Sequence, residues 1–301
     1  MTKLIIDTDC GMDDIIAIAM LIASKKFEIA GITTVRGLTP SVTGAKNIDK
    51  IMTYLDQNVP VIAGANSPLN KSALKNKFPT KDIVNSSKLV FLKDLLPIVI
   101  KQNNDINNFW EQEVCLSRKS ITLVCLGPLT NIAKAMLNYG YKFTSKINQV
   151  VIMGGAINVA GNVKPEKLAE YNFYLDPEAA KIVLTSSLKI LLVPMDATRQ
   201  APVSEKLNNQ IEKLNPKTKE GLIIKKTLLA NKNDFRYFYD PLAVSSIINQ
   251  RIIKKTKLEG LRITSQGQSV IDLNQKPKVK IVLEVKSEKF YNTLVNSILA
   301  F

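Results

Sequence analysis

Short apolar runs alternate with amphipathic stretches along nearly the whole chain, and few architectures accept that pattern. Leu4–Ile6, Glu28–Val35, Val61–Ala63, Ile121–Leu126, Gln149–Met153 and Ile190–Val193 are rich in consecutive apolar residues, as in strands covered on both faces. Asp13–Ser24, Ser41–Asp56, Leu89–Gln102, Leu129–Asn138 and Pro177–Ser186 carry helical spacing between them. Strands separated by helices predict an α/β fold with a mostly parallel, open sheet, helices on both faces and a Rossmann-like core. The last third adds helices at Val203–Leu214, Lys219–Ala230 and Pro241–Ile248, strand-like pieces at Lys257–Ile263 and Val279–Val285, and a final helix at Lys289–Leu299. With no repeat and no linker rich in Gly, Ser or Pro, residues 1–301 read as one domain.

Composition then removes reaction classes. The chain has no histidine, which excludes a Ser-His-Asp triad and histidine-ligated zinc. Catalysis must use carboxylates, Lys, Tyr, Cys or a bound ion. The formal charge of +15 invites a nucleic-acid partner, but the lysines are scattered singly or in pairs with no interleaved aromatics. We read them as a solvated surface, with no nucleic acid as partner. Three cysteines, Cys10, Cys115 and Cys125, make no disulfide framework and point to a reducing compartment. Met1-Thr2-Lys3 leads straight into Leu4-Ile5-Ile6 and then acids, which is neither a signal peptide nor a membrane span. The expectation is a cytoplasmic protein with no membrane partner.

In open α/β sheets, ligands sit beyond the carboxyl ends of the strands. After Ile6 come four carboxylates in one short run, Asp7, Asp9, Asp13 and Asp14. Like charges this dense raise one another's pKa unless a cation neutralises them. Oxygen donors in a tight turn suit calcium or magnesium. Helix capping explains Asp13 and Asp14 but does not require Asp7 and Asp9. Ala169-Glu170-Tyr171-Asn172, read as a loop, suits a polyhydroxylated ligand or is an ordinary polar loop. Asp240, before a helix, is by itself a cap as readily as a ligand.

Taken in order, these segments resemble the nucleoside hydrolases, calcium-dependent N-ribohydrolases of the inosine-uridine-preferring type. The resemblance rests on Asp7-Thr8-Asp9-Cys10-Gly11-Met12-Asp13-Asp14, Gly31–Val35, Gly127-Pro128-Leu129-Thr130-Asn131 and Met153-Gly154-Gly155-Ala156. It continues through Gly161-Asn162, Ala169–Asn172, Asp176–Ala180 and Asp240–Val244. It implies hydrolysis of the N-glycosidic bond of a small-molecule nucleoside, and commonly a homodimer or homotetramer. It also implies one Ca2+ held by Asp9, Asp14, Asp240 and the main-chain carbonyl of Leu126. Asp9 would be the general base towards an ion-activated water. Asp13 and Asn172 would hold the 2′- and 3′-hydroxyls, and Asn162 and Glu170 the 5′-hydroxyl. Tyr171 stands beside them where a Phe is common.

Three departures from the family pattern stand out. Tyr239 occupies the place of a His that acts as general acid to the leaving base; its hydroxyl would donate, its ring would stack on the base, or it is inert packing. Leu38 replaces an Asn that helps bind the ribose. The stretch Ser67–Ser87 lacks the His-containing signature of many relatives, and Asp234–Phe238 is another candidate contact for the base. Tyr239 and Leu38 together motivate an alternative, a catalytically impaired nucleoside-binding relative. A haloacid-dehalogenase-type phosphatase also begins with Asp-x-Asp after a strand, but Gly11 stands where it needs Thr or Val.

Overall fold

The computed structural model describes residues 1–70, 105–230, 232 and 236–299. The expected helix at Leu89–Gln102 and most of Ser67–Ser87 lie outside them. So do Asp234 and Phe235.

The strands are β1 (Thr2–Thr8), β2 (Phe27–Thr34), β3 (Val61–Ala63), β4 (Ile121–Cys125), β5 (Ile147–Met153), β6 (Ile190–Val193), β7 (Ile253–Glu259), β8 (Leu261–Ile263), β9 (Ser269–Ile271) and β10 (Val279–Val285). The helices are α1 (Met12–Ala23), α2 (Ser41–Tyr54), α3 (Ile106–Trp110), α4 (Thr130–Tyr139), α5 (Tyr141–Thr144), α6 (Tyr171–Leu175), α7 (Pro177–Leu184), α8 (Met195–Thr198), α9 (Glu205–Glu212), α10 (Lys219–Ala230), α11 (Asp240–Ile248) and α12 (Ser287–Leu299). Eight strands form one sheet in the order β3-β2-β1-β4-β5-β6-β10-β7, parallel throughout except for the β10–β7 pair. The fold class matches the expectation.

The apolar runs explain the layering. Leu4 and Ile6 face one core with α1, α2, α10, α11 and α12, while Ile5 faces the other with α4, α7, Phe109 and Trp110. Successive residues of a strand point to opposite faces, so a continuous apolar run satisfies two helical layers at once. The strand order reverses between β1 and β4, and parallel sheets open a crevice at such a point. Asp9 and Leu126 directly follow those two strands.

Two local expectations need correction. Lys257–Ile263 is not one strand: Gly260 divides it, sending β7 to the main sheet and β8 to a hairpin with β9. A Cβ on Gly260 would lie 2.6 Å from the Gln275 carbonyl oxygen, so a tight crossing decided that break. Tyr171 and Asn172 belong to helix α6, which Glu170 caps by accepting from the N–H groups of Asn172 and Phe173.

Candidate active site

The site is built where the amino ends of two helices meet. Asp13 and Asp14 lie in the first turn of α1, Asp240 is the first residue of α11, and the two helices pack against each other. Carboxylates at helix N-termini are favoured by the exposed N–H groups and the helix dipole. This packing brings carboxylate oxygens of Asp13, Asp14 and Asp240 within 4.8 Å of one another.

Asp14 is fixed from both sides. One oxygen accepts from the Thr8 hydroxyl and the other from the Gly11 N–H at 2.9 Å. Cys10 adopts φ 59°, a left-handed conformation uncommon outside Gly, Asn and Asp, in the turn between Asp9 and Gly11. Its N–H donates back to the Thr8 hydroxyl at 3.0 Å. Thr8 therefore holds both the turn and Asp14, a role the motif alone did not reveal.

Asp9 is buried, and its carboxylate accepts from the backbone N–H of Leu38 at 2.9 Å. A Cβ on Gly37 would lie 2.0 Å from an Asp9 oxygen, so only glycine lets this loop approach. Leu38 thus serves Asp9 through its main chain, a bond that any residue but proline would keep. Its methyl group still lines the turn: a Cβ on Gly11 would meet Leu38 Cδ1 at 2.8 Å and Asp14 Oδ2 at 2.9 Å.

Crowding and burial set the electrostatics. Burial, with the Leu38 N–H opposing it and Asp13 adding repulsion, raises Asp9 to about 7. Burial and the charge of Asp14 raise Asp13 to about 7 as well. Asp14 and Asp240 are pushed well above the ordinary carboxylate range, first by burial and then by the neighbouring acids. One Asp240 oxygen is buried without a hydrogen-bond partner. Three converging carboxylates, one with an orphaned oxygen, fit a hard divalent cation. Asp9 stands beside this trio, close enough for its charge to act on Asp14 and Asp240.

Of the remaining expected residues, Glu170, Tyr171 and Tyr239 lie within electrostatic reach of Asp9 or Asp13. Asn172 is buried, and its amide donates to the carbonyl oxygens of Leu126 at 3.2 Å and Met153 at 3.3 Å, tying together the ends of β4 and β5. Glu170 is buried and accepts from the N–H groups of Gly155 and Asn172 at 3.0 and 2.9 Å. The Tyr171 hydroxyl is buried without a partner, and burial together with Asp9 and Glu170 pushes it above the ordinary phenol range. Burial and Asp13 push Tyr239 up to about 12, so it is a neutral phenol at physiological pH. Its ring meets Tyr237 edge-on at 6.3 Å, whereas Phe238 between them is fully buried against Phe290. Of the aromatic segment, Phe238 therefore belongs to the core.

Asn162 is exposed on the loop after β5, and its N–H donates to the Ala169 carbonyl at 3.0 Å, beside Glu170. Asp196 and Arg199, which sequence reasoning missed, bind this loop. They carry no motif, only their position after β6.

Among the described residues no helix is long and apolar enough to cross a membrane. The profile of the inosine-uridine preferring nucleoside hydrolases matches residues 4–292. The chain is 31% identical to an uncharacterised protein of Schizosaccharomyces pombe, over 97% of each chain. It is 27% identical to the pyrimidine-specific ribonucleoside hydrolase RihA of Escherichia coli, again over 97% of each. The solved plant nucleoside hydrolase PpNRh1 shares the fold, with a TM-score of 0.83 at 24% identity, covering 100% of this chain and 99% of the other. The fold, the acid cup at the strand ends and a family match of this extent agree: the chain belongs to the inosine-uridine preferring nucleoside hydrolases, N-glycosyl hydrolases of ribonucleosides.

Proposed function

We propose that this enzyme cleaves the N-glycosidic bond of a ribonucleoside, or a close analogue, with Asp9 as general base and Ca2+ as its cofactor. The observation that carries the reading is the convergence of Asp13, Asp14 and Asp240 beside a separately held Asp9. Asp14, Asp240 and the Leu126 carbonyl would hold the ion, with Asp9 completing the set. When bound, the ion would supply Lewis acidity that lowers the pKa of a water beside Asp9. Asp9 accepts the proton of the attacking water, and its Leu38 N–H bond keeps the carboxylate aimed. Asp13 and Asn172 orient the 2′- and 3′-hydroxyls, and Glu170 and Asn162 the 5′-hydroxyl. The sugar becomes cation-like as the bond to the base breaks, so the surrounding acids stabilise it. Tyr239, protonated at neutral pH, donates to the departing base in place of histidine.

Assembly as a homodimer or homotetramer, which rests on the family resemblance, and residence in the cytoplasm, which rests on the few cysteines, complete this reading. The test is to incubate the protein with purine and pyrimidine ribonucleosides and follow free base and reducing sugar. Turnover that a chelator abolishes and Ca2+ restores is expected. Chelator-resistant turnover would reject the ion, and ligand binding without turnover would favour an impaired binding protein.

A further inference from the structure

One short helix holds the loop beyond β5 from both sides. Asp196 in α8 is 8% exposed, and its carboxylate accepts from the N–H groups of Ile157 at 2.9 Å and Asn158 at 2.8 Å. It also accepts from the Asn158 side chain at 3.0 Å. Three residues later, Arg199 donates through Nη2 to the Ala160 carbonyl at 2.6 Å and more weakly towards the Gly161 carbonyl at 3.5 Å. Residues three apart on a helix lie on one face, so one turn presents an acceptor and a donor to successive peptide groups of the loop. The far side of the loop is closed by glycine: a Cβ on Gly161 would lie 2.0 Å from the Ala169 carbonyl oxygen. Asn162 comes next, followed by the return to Ala169 and Glu170.

We propose that Asp196 and Arg199 form a clamp of positioning residues that fixes the 157–162 loop and sets the enzyme's demand for a hydroxymethyl group on the sugar. The inference rests on the proposed reading of Asn162 and Glu170 as the partners of that group. Without the clamp the loop is still held at Gly161 and by the Asn162 N–H on the Ala169 carbonyl, but residues 157–160 lose the side-chain bonds that set how far Asn162 reaches over the sugar. Charge-assisted bonds of this kind are the stronger ones, which suits them to set a loop's reach.

Two readouts test the clamp. First, uridine and 5′-deoxyuridine (or inosine and 5′-deoxyinosine, whichever pair turns over faster) are compared on the wild type, Arg199→Met, Arg199→Lys and Asp196→Asn. The wild type is expected to prefer the 5′-hydroxylated substrate by about tenfold in kcat/KM. Arg199→Met and Asp196→Asn are expected to lose that preference through a raised KM for the hydroxylated substrate alone, and Arg199→Lys to recover part of it. Equal losses on both substrates mean a merely structural role and overturn the proposal. Second, amide exchange is followed across 157–162 in the unliganded proteins. It is expected to accelerate about tenfold or more in Arg199→Met and Asp196→Asn, and unchanged exchange overturns the clamp whatever the activity. If the wild type shows no preference while exchange accelerates, the assignment of Asn162 and Glu170 fails together with the specificity half of the proposal. A wild type that hydrolyses no nucleoside instead rejects the proposed reaction, and exchange alone then decides the clamp.

Discussion

Asp7 and Asp9 stand two residues apart at the end of one strand, both buried, and their surroundings differ. One oxygen of Asp7 accepts from the Thr33 hydroxyl at 2.6 Å and the Asn131 amide at 2.7 Å. Asn131 also bonds the Thr34 carbonyl and the Ala65 N–H, so this carboxylate ties β1 to β2, to the turn after β3 and to the start of α4. Asp9 receives one backbone N–H and otherwise looks towards other acids. Neutral donors from a neighbouring strand and helix make a joint, whereas several carboxylates around shared space make a site. Burial lifts Asp7 and Asp9 alike to about 7, so the pKa alone does not separate them.

The sharpest way to break this contrast is Asp9→Asn. We expect turnover to fall about 10²–10⁴-fold while the fold persists. Full glycosidase activity in this variant would remove Asp9 from its role as base.

Next in size is the response to pH and metal. Asp9 and Asp13 each move from 3.8 to about 7 on folding. The folded protein therefore holds protons that the unfolded chain releases. That stability is fully present below about pH 3.8 and is lost as pH rises through about 7. The chelated protein should melt lower at pH 8 than at pH 5, and Ca2+ should raise the melting temperature more at pH 8, where it competes with fewer protons. A chelated protein whose melting temperature holds or rises across that range would contradict the assignment.

Asp7→Ala probes the joint. It strands the Thr33 hydroxyl and the Asn131 amide, at a cost of about 1–3 kcal/mol in unfolding free energy by urea titration. The stabilisation by Ca2+ should persist, because the cup is untouched. If Asp7→Ala abolished the Ca2+ response and left stability intact, the two regions would have exchanged roles.

The smallest expected effect concerns the leaving base. Tyr239→Phe should lower kcat for natural nucleosides about tenfold and leave para-nitrophenyl riboside unaffected, since that leaving group needs no proton. Equal rates on both substrates would assign Tyr239 to stacking through its ring.

Much of the fold was legible because apolar period is local information. Val61–Ala63, Ile190–Val193, Lys219–Ala230 and Val279–Val285 have the expected bounds. The errors arose where a distant contact intervened. Gly260 splits a strand because other backbone crosses it, and α6 forms because Glu170 turns back to cap it. In the site, the motif supplied the acids but not their supports. The Leu38 N–H, the Thr8 hydroxyl and the pair Asp196 and Arg199 act through geometry that no spacing encodes.

By itself the sequence determined that strands and helices alternate, that acids gather where the first strand ends, and that no imidazole takes part in the chemistry. Burial preference and side-chain chemistry belong to individual residues, so they survive in a linear reading. Only the tertiary structure decided that Asp240 meets Asp13 and Asp14 and that Asp7 becomes a joint instead. Those outcomes follow from the strand order and from α11 packing on α1, which carries the ends of distant segments to one point.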